Sequence, residues 1–392
     1  MKNLRPSADL RSSRIGAVFA ASAFAHLMLV CGAVAVPVDL TTPPIIDRWN
    51  YPFGDFDGFR AELPVFSTAG VPGFDDRDAE ALFVFDAATG NTIDWNTATI
   101  TSITLRAAVT ASTPSLRFVY DPTHDGYQTY FASTAPGYVA DGDAGRPVEL
   151  FGAGFRAGIT LNSGLPLNAA NYQENTEFAN IPATVPPARN NRNVHPVAFN
   201  AQGVGVDCVN NITGSAAEGG VFDAIPLAVG QIAGLAVGSV VDSGTYMTFT
   251  VDLTQPGVLA YVRQGLSSGR LFFVVSSLHP SRQPGTGAQL PYPIFISKDN
   301  IFGPGPSLRI VADTGSPASC LADVASDSAD TTRSPSGSVG PEDLEAFVNG
   351  YVNENAAIAD VASDPSDTTF SPNGTVGPED LEAFVNAFIA GC

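Results

Sequence analysis

Ala322-Asp-Val-Ala-Ser-Asp327-Ser-Ala-Asp330-Thr-Thr-Arg-Ser-Pro-Ser-Gly337-Ser-Val-Gly-Pro341-Glu-Asp343-Leu-Glu-Ala-Phe347-Val-Asn349 is nearly repeated 37 residues further on. The second copy reads Ala359-Asp-Val-Ala-Ser-Asp364-Pro-Ser-Asp367-Thr-Thr-Phe-Ser-Pro-Asn373-Gly374-Thr-Val-Gly-Pro378-Glu-Asp380-Leu-Glu-Ala-Phe384-Val-Asn386. Identity at most positions marks an internal duplication. The first half of each copy is short, polar and acidic, and reads as a loop ending in glycine. The second half opens with proline, glutamate and aspartate, residues that suit a helix start and its dipole. Apolar residues then recur at helical spacing: Leu344, Phe347, Val348, Tyr351 and Val352, and Leu381, Phe384, Val385, Phe388 and Ile389. Two such helices are expected to bury these stripes against each other.

An acidic loop feeding a helix, twice, has the outline of a paired calcium module. An EF-type loop takes oxygens from positions 1, 3, 5, 7, 9 and 12 around a glycine at 6. With Gly374 at 6, Asn373 falls at 5, the Thr375 carbonyl at 7 and Asp380 at 12. Positions 1 and 3 would be Thr369 and Ser371, which are poor ligands, so Asp360, Asp364 and Asp367 are the carboxylates an expanded loop would supply. The first copy offers Asp343, the Ser338 carbonyl and Ser336, with Asp323, Asp327 and Asp330 upstream. Ser336 is a weaker ligand than Asn373, so the first site is expected to be the weaker. A calcium-free helical hairpin with a solvated acidic face is the competing reading.

A tandem loop-helix repeat ending in Asp-Leu at the end of a chain resembles a dockerin. The Cys320-Leu-Ala-Asp323 opening and the final Gly391-Cys392 resemble more narrowly the bacterial GC-type dockerin-like C-terminal domains. The resemblance covers residues 320–392. It implies a small α-helical domain, calcium-dependent folding, and docking to another surface protein. The expanded loops depart from the family pattern and leave the number of ions open. Cys320 and Cys392 bracket the repeat, and a disulfide between them would tie its ends, contributing roughly 4–5 kcal/mol in the chain-entropy model.

The whole chain has 392 residues and a formal net charge of −20. Its only lysines are Lys2 and Lys298, so no basic patch for nucleic acid can be assembled. Residues 320–392 hold 13 Asp and Glu against one Arg, a surface that attracts divalent cations or basic partners. Residues 1–35 read as a secretory signal: Lys2, Arg5, Arg11 and Arg14 precede an apolar run from Ile15 to Val34, and Ala33-Val34-Ala35 is a cleavage site of small residues. A membrane anchor is the alternative for this run, which His26 and several small residues weaken. No later segment could span a membrane. Export permits disulfides, and with Cys320 and Cys392 paired, Cys208 is left as a buried thiol or surface bystander.

Residues 36–312 form the body, with 313–319 as a linker. Gly and Pro are abundant, and short apolar runs alternate with period two. Ala81–Phe85, Ile103–Val109, Met247–Leu253, Arg270–Val275 and Ser307–Ala312 read as strands, and Gln255–Gly265 as a short helix. The pattern predicts a mainly β protein whose body is an antiparallel β-sandwich. The order of these segments resembles DNRLRE-type jelly-roll domains, which implies a carbohydrate-binding or structural module. An insert at about 113–245 has no counterpart in that pattern. Within it, Asp121-Pro-Thr-His124-Asp-Gly and Asp141-Gly-Asp143-Ala-Gly-Arg146 read either as ordinary turns or as loop acids for a structural calcium. Residues 164–193 read as an exposed loop, and 224–241 as a strand followed by a loop.

No catalytic constellation stands out. His124, His195 and His279 lie far apart with no metal-ligand spacing, and no nucleophile elbow or phosphate loop appears in context. Asp75, Asp76, Asp78 and Glu80 read as an acidic loop around Arg77 or as hydrolytic carboxylates. Trp49, Tyr51, Tyr127, Tyr130 and Tyr138 suit either sugar stacking or a core. Two functions follow as expectations: an exported non-catalytic β-sandwich that binds carbohydrate or serves as a surface module, anchored by its tail to a protein partner, or a secreted polysaccharide hydrolase carrying the same tail.

Overall fold

A computed structural model describes residues 37–51, 60–67, 76–86, 93–110, 117–161, 163–176, 193–212, 222–283, 287–313, 321–335, 339–367 and 370–390. The expected leader at 1–35, the expected linker at 313–319 beyond Asp313, and Asp75, Ser336, Ser338, Cys320 and Cys392 lie outside them. The chain is mainly β. It divides into two compact units, with the boundary between Gly315 and Ser316.

In the body, every pairing between strands is antiparallel. The strands are β1 (Pro37–Thr42), β2 (Pro44–Asn50), β3 (Glu62–Pro64), β4 (Glu80–Asp86), β5 (Thr99–Ala108), β6 (Val148–Phe155), β7 (Val194–Phe199), β8 (Gly205–Asp207), β9 (Ala228–Val229), β10 (Tyr246–Thr250), β11 (Arg270–Ser277), β12 (Ile294–Ile296) and β13 (Ser307–Asp313). One sheet has the order β1-β13-β5-β10, and a second runs β2-β4-β11-β6-β7-β8 with β9 beside β6. A third pairs β12 with β3. Leu105, Phe249, Leu308 and Ile310 of the first sheet share one hydrophobic core with Phe83, Phe85, Leu271 and Phe273 of the second. Helix α1 (Val258–Ser267) sets Val258, Val262 and Leu266 into that core, at the spacing of one helical face.

The alternating strands of the sequence are found where expected, as β5, β10 and β13. The second sheet departs from alternation because both of its faces are covered. Phe83, Phe85 and Phe273 point to the shared core. Leu82, Val84, Phe272 and Val274 pack on the other side with Ile159, Leu167, Tyr172 and Val194. Those covering residues come from the insert, so the expected exposed loop at 164–193 is corrected in its described part. Leu167 and Tyr172 are buried there, and Arg270 Nη1 holds the turn through the Tyr172 carbonyl at 2.9 Å. The insert also supplies β6, β7, β8 and β9 to the sheet.

Charge is buried on this sheet too. Asp47 of β2 is inaccessible, and its Oδ2 accepts the Lys298 N–H. Burial pushes its carboxyl up to about 7, against the pull of Lys298. A carboxyl whose folded pKa is raised keeps its proton in the native state while the unfolded chain loses it. Stability therefore falls as pH rises from about 4 to about 7. Asp47→Asn is expected to flatten that fall, so that its melting temperature exceeds the parent's at pH 8 but not at pH 4. Parallel melting curves for the two proteins across this range would dismiss the assignment.

In the second unit the repeat forms α2 (Pro341–Val352), a short α3 (Ala356–Ala359) and α4 (Pro378–Ala390). Equivalent positions meet. Phe347 and Phe384 stack with ring centroids 3.8 Å apart and planes 7° from parallel. The Arg333 guanidinium lies 3.8 Å from the centre of the Phe370 ring, again 37 residues on. Val324, Ala325 and Ala346 share the core with Val361, Ala362 and Ala383. The expectation that each whole apolar stripe is buried needs correction. Phe347 and Phe384 are buried, but Leu344, Val348 and Val352, and likewise Leu381, Val385 and Ile389, face outward. Val324 and Ala325, and Val361 and Ala362, from the segments before each helix join the two phenylalanines in this core.

Candidate functional sites

In the tail, the two equivalent aspartates at the helix starts make identical bonds. Asp343 Oδ1 accepts the N–H groups of Val324 and Ala325 at 2.7 and 2.8 Å, and its Oδ2 accepts that of Gly340 at 2.8 Å. Asp380 Oδ1 accepts Val361 and Ala362 at 2.7 and 2.8 Å, and its Oδ2 accepts Gly377 at 2.8 Å. Each carboxylate caps its own helix from the third position and clamps the incoming loop to it. Asp360 accepts the Asn373 and Gly374 N–H groups at 2.9 and 2.6 Å, closing the turn where Gly374 takes a φ of 93°, a conformation that favours glycine. Asn373 Oδ1 in turn accepts the Thr375 N–H at 2.9 Å. These bonds close the 373–375 turn onto Asp360, while the Asp380 carboxylate is taken up by the three amides of its own clamp.

The remaining acids sit in turns of their own. Asp330 Oδ2 accepts the Ser326 and Asp327 N–H groups and the Ser334 hydroxyl, and Asp367 Oδ2 does the same with Ser363, Asp364 and Ser371. Those bonds, the serine hydroxyl first, hold both carboxyls down at about 2. Asp327 and Asp364 each accept an N–H two residues on. Asp323 is fully buried beside Val324. The structure thus splits the predicted ligand set between a helix-start junction and an exposed turn.

In the body, the stretch from Asp76 to Glu80 is not the surface loop its composition suggests. Among its described residues, Asp76, Arg77, Asp78 and Glu80 are all buried. Arg77 lies 4.5 Å from the centre of the Phe151 ring, and its Nη2 pairs with Glu149 Oε2 at 2.9 Å. Its Nε donates to Asn211 Oδ1 at 3.1 Å. Glu80 Oε2 accepts from Asn50 Nδ2 at 2.8 Å, and Asp76 Oδ2 accepts the Ile212 N–H. On its other oxygen Glu149 meets His124 Nδ1 at 2.6 Å, and His124 Nε2 lies 3.4 Å from Asp223. Burial works against a charged His124, but Glu149 and then Asp223 outweigh it and raise its pKa. The result is a chain of alternating charge from the covered face of the sheet toward solvent.

Beside His124 the two acidic loops of the insert converge. One carboxylate oxygen from each of Asp121, Asp125 and Asp143 lies within 4.8 Å of the other two. Arg146 donates to Asp125 Oδ2 at 2.8 Å and lies 3.3 Å from Asp141. Burial raises the Asp125 carboxyl to about 6, against Arg146, with Asp141 and Asp121 adding to the rise. Burial likewise raises Asp121, against its bonds from Thr123. The second loop can come this close because residue 145 is glycine. Its φ is 111°, and a Cβ there would stand 3.0 Å from the Val119 carbonyl and 3.1 Å from the Asp121 Cβ. In the sequence the same acids read equally as ordinary turns, because Asp and Gly are the common turn residues.

A second acidic group, Asp47, Glu174 and Asp299, has comparable spacing but is already occupied by an ammonium. Lys298 Nζ lies 2.5 Å from Glu174, 3.0 Å from Asp299 and 4.0 Å from Asp47. Cys208 is buried, donates to the Pro196 carbonyl at 3.3 Å, and has its pKa pushed up by burial, which suits an inert thiol. Of the aromatic candidates, Trp49 stacks on Tyr51 at 4.3 Å with its Nε1 on the Pro64 carbonyl, so both belong to the edge of the core. Tyr130 lies under the Arg146 guanidinium at 4.3 Å, and Tyr127 packs edge-on to Phe131. Tyr138 is exposed.

No protein-family model matches this chain, and the search of curated proteins gave no match. Among the described residues, no helix is long and apolar enough to cross a membrane.

Proposed function

We propose that this is an exported, non-catalytic surface protein: a jelly-roll-like β-sandwich that binds carbohydrate or serves a structural role, attached to a partner protein through its dockerin-like tail. The observation that carries the reading is the outward apolar face of the tail. Leu344, Val348 and Val352 lie four residues apart on α2, and Leu381, Val385 and Ile389 repeat them on α4, with Val352 and Ile389 74 % and 71 % exposed. A duplicated apolar face on a small acidic unit is expensive to leave in water and suits a protein surface with an apolar centre and a basic rim. Acidic side chains on the same helices, Glu345 and Glu382 among them, would meet that rim.

Calcium belongs to the proposal as a stiffening ligand of the second loop, held by Asp360, Asn373, the Thr375 carbonyl and Asp380. What supports this is the turn that bonds Asp360, Asn373 and Thr375 together, with Asp360 one residue before the amides that Asp380 clamps. The leader read at 1–35 supplies the export step. The hydrolase alternative asks for a raised carboxylic acid, which Asp125 supplies. Release of reducing sugar by the parent, lost in Asp125→Asn, would favour it.

The docking test uses the full chain immobilised against a cell-envelope extract. Val348→Asp with Val385→Asp is expected to keep the helical signal and to lower capture of the partner at least tenfold. Raised salt should weaken the parent's capture. Capture that is indifferent to the double substitution would remove this face from the interaction.

A further inference from the structure

We infer that the body carries a calcium site of its own, formed by Asp121, Asp125 and Asp143, which fastens the 121–126 loop to the 141–146 loop. The acids alone would not carry this. The second observation is a fully buried oxygen with nothing to receive. Asp121 is 1 % exposed, its Oδ1 is taken by the N–H and hydroxyl of Thr123 at 2.8 and 2.6 Å, and its Oδ2 has no hydrogen-bond partner among the described residues. A buried carboxylate oxygen without a donor calls for a proton or a cation. Arg146 does not provide it, since its ion pairs go to Asp125 and Asp141. Among the described residues, Asp143, at the rim, receives the Thr123 hydroxyl alone, at 2.9 Å from its Oδ2, and the same hydroxyl has a single hydrogen to share with Asp121.

The donor set selects the ion. All three side chains offer carboxylate oxygen, with no sulfur, so a hard cation is favoured. One oxygen of each acid lies within 4.8 Å of the other two, close enough to share one Ca2+, whose metal–oxygen distance is about 2.3–2.6 Å. Mg2+ demands near-ideal octahedral geometry and gives up its waters reluctantly, so a site of three carboxylates from two loops favours Ca2+. The Asp47 group shows the contrast: there the lysine ammonium already sits among the acids. Fastening the two loops would also fix His124 between Asp121 and Asp125 in sequence, and with it the outer end of the Arg77–Glu149 chain.

The experiment is calorimetric titration of the full chain with Ca2+ alone, and separately with Mg2+ alone, after chelation. Asp143→Asn is the main variant because Asp143 is exposed and its loss should leave the fold intact. Asp121→Asn is the second, and Asp360→Asn serves as the tail control. The parent is expected to bind Ca2+ in preference to Mg2+, and Asp143→Asn to lose one equivalent or weaken it at least tenfold. Asp121→Asn should do the same wherever it folds. Loss in Asp143→Asn but not in Asp360→Asn supports this site and removes calcium from the tail. Loss in Asp360→Asn alone overturns this site and leaves the tail proposal standing. A parent that takes up no Ca2+ overturns both.

Discussion

Asp380→Ala is expected to unfold the tail while the body stays folded. The side chain is wholly buried and its two oxygens receive three backbone N–H groups, two from the loop and one from the helix start. Removing it strands those donors in a core of Val361, Ala362 and Phe384. Each stranded amide costs about 1–3 kcal/mol, so a loss of roughly 3–5 kcal/mol is expected, a large share of what a unit this small can hold. Asp343→Ala should behave alike, because its three bonds are the same within 0.1 Å. Asp364→Ala, in an exposed turn, should cost under about 0.5 kcal/mol. Calorimetry of the full chain would show the tail transition lost or lowered while the body transition is unmoved. A tail that melts normally in Asp380→Ala would mean that the amides find water, and the clamp would be of no consequence.

Arg77→Met is expected to be the most damaging single change in the body. It leaves the Phe151 ring covered but takes the only ion pair at one end of Glu149, whose carboxylate is as buried as the guanidinium was. Breaking one partner of such a pair costs about 3–5 kcal/mol, since a charge is left without compensation. His124 remains on the other oxygen, so the cost should grow as pH rises and His124 loses its proton. The folded pKa of His124 lies above the ordinary value, and its contribution is complete below about pH 6.5 and fades as pH passes the folded pKa. Arg77→Met with Glu149→Leu should recover at least half of the loss, because both charges are then gone. Denaturant curves at pH 6 and pH 8 measure this. A double variant no better than Arg77→Met would show that Glu149 gains its stability elsewhere.

The contrast between these two sites explains what could be read in advance. The tail was legible because its instructions are local. Proline and acids at a helix start, glycine at the turn and phenylalanine on the repeat all act within a few residues, and the duplication states them twice. Which part of each stripe would be covered was not legible, since Leu344 and Phe347 are equally apolar and only the path of the preceding chain decides between them. In the body, β5 and β13 declared themselves by alternation because one of their faces is open. β2 and β6 did not, because a sheet covered on both sides erases the period, and nothing in the sequence marks Asp47 or Glu149 as buried. Arg77 shows the same limit. Its partners Glu149, Asn211 and Ser276 come from distant segments, so Asp-Arg-Asp looks like surface until the fold brings them round it.

The pairing of Phe347 with Phe384 has one more consequence. Each half of the tail offers its sibling the same surface that it receives, so the seam between them does not register whether the halves belong to one molecule. At high concentration, two chains opened at Asn353–Asn355 could trade halves and close again with every buried bond restored. The duplication that makes the tail easy to assemble is also what makes its parts interchangeable.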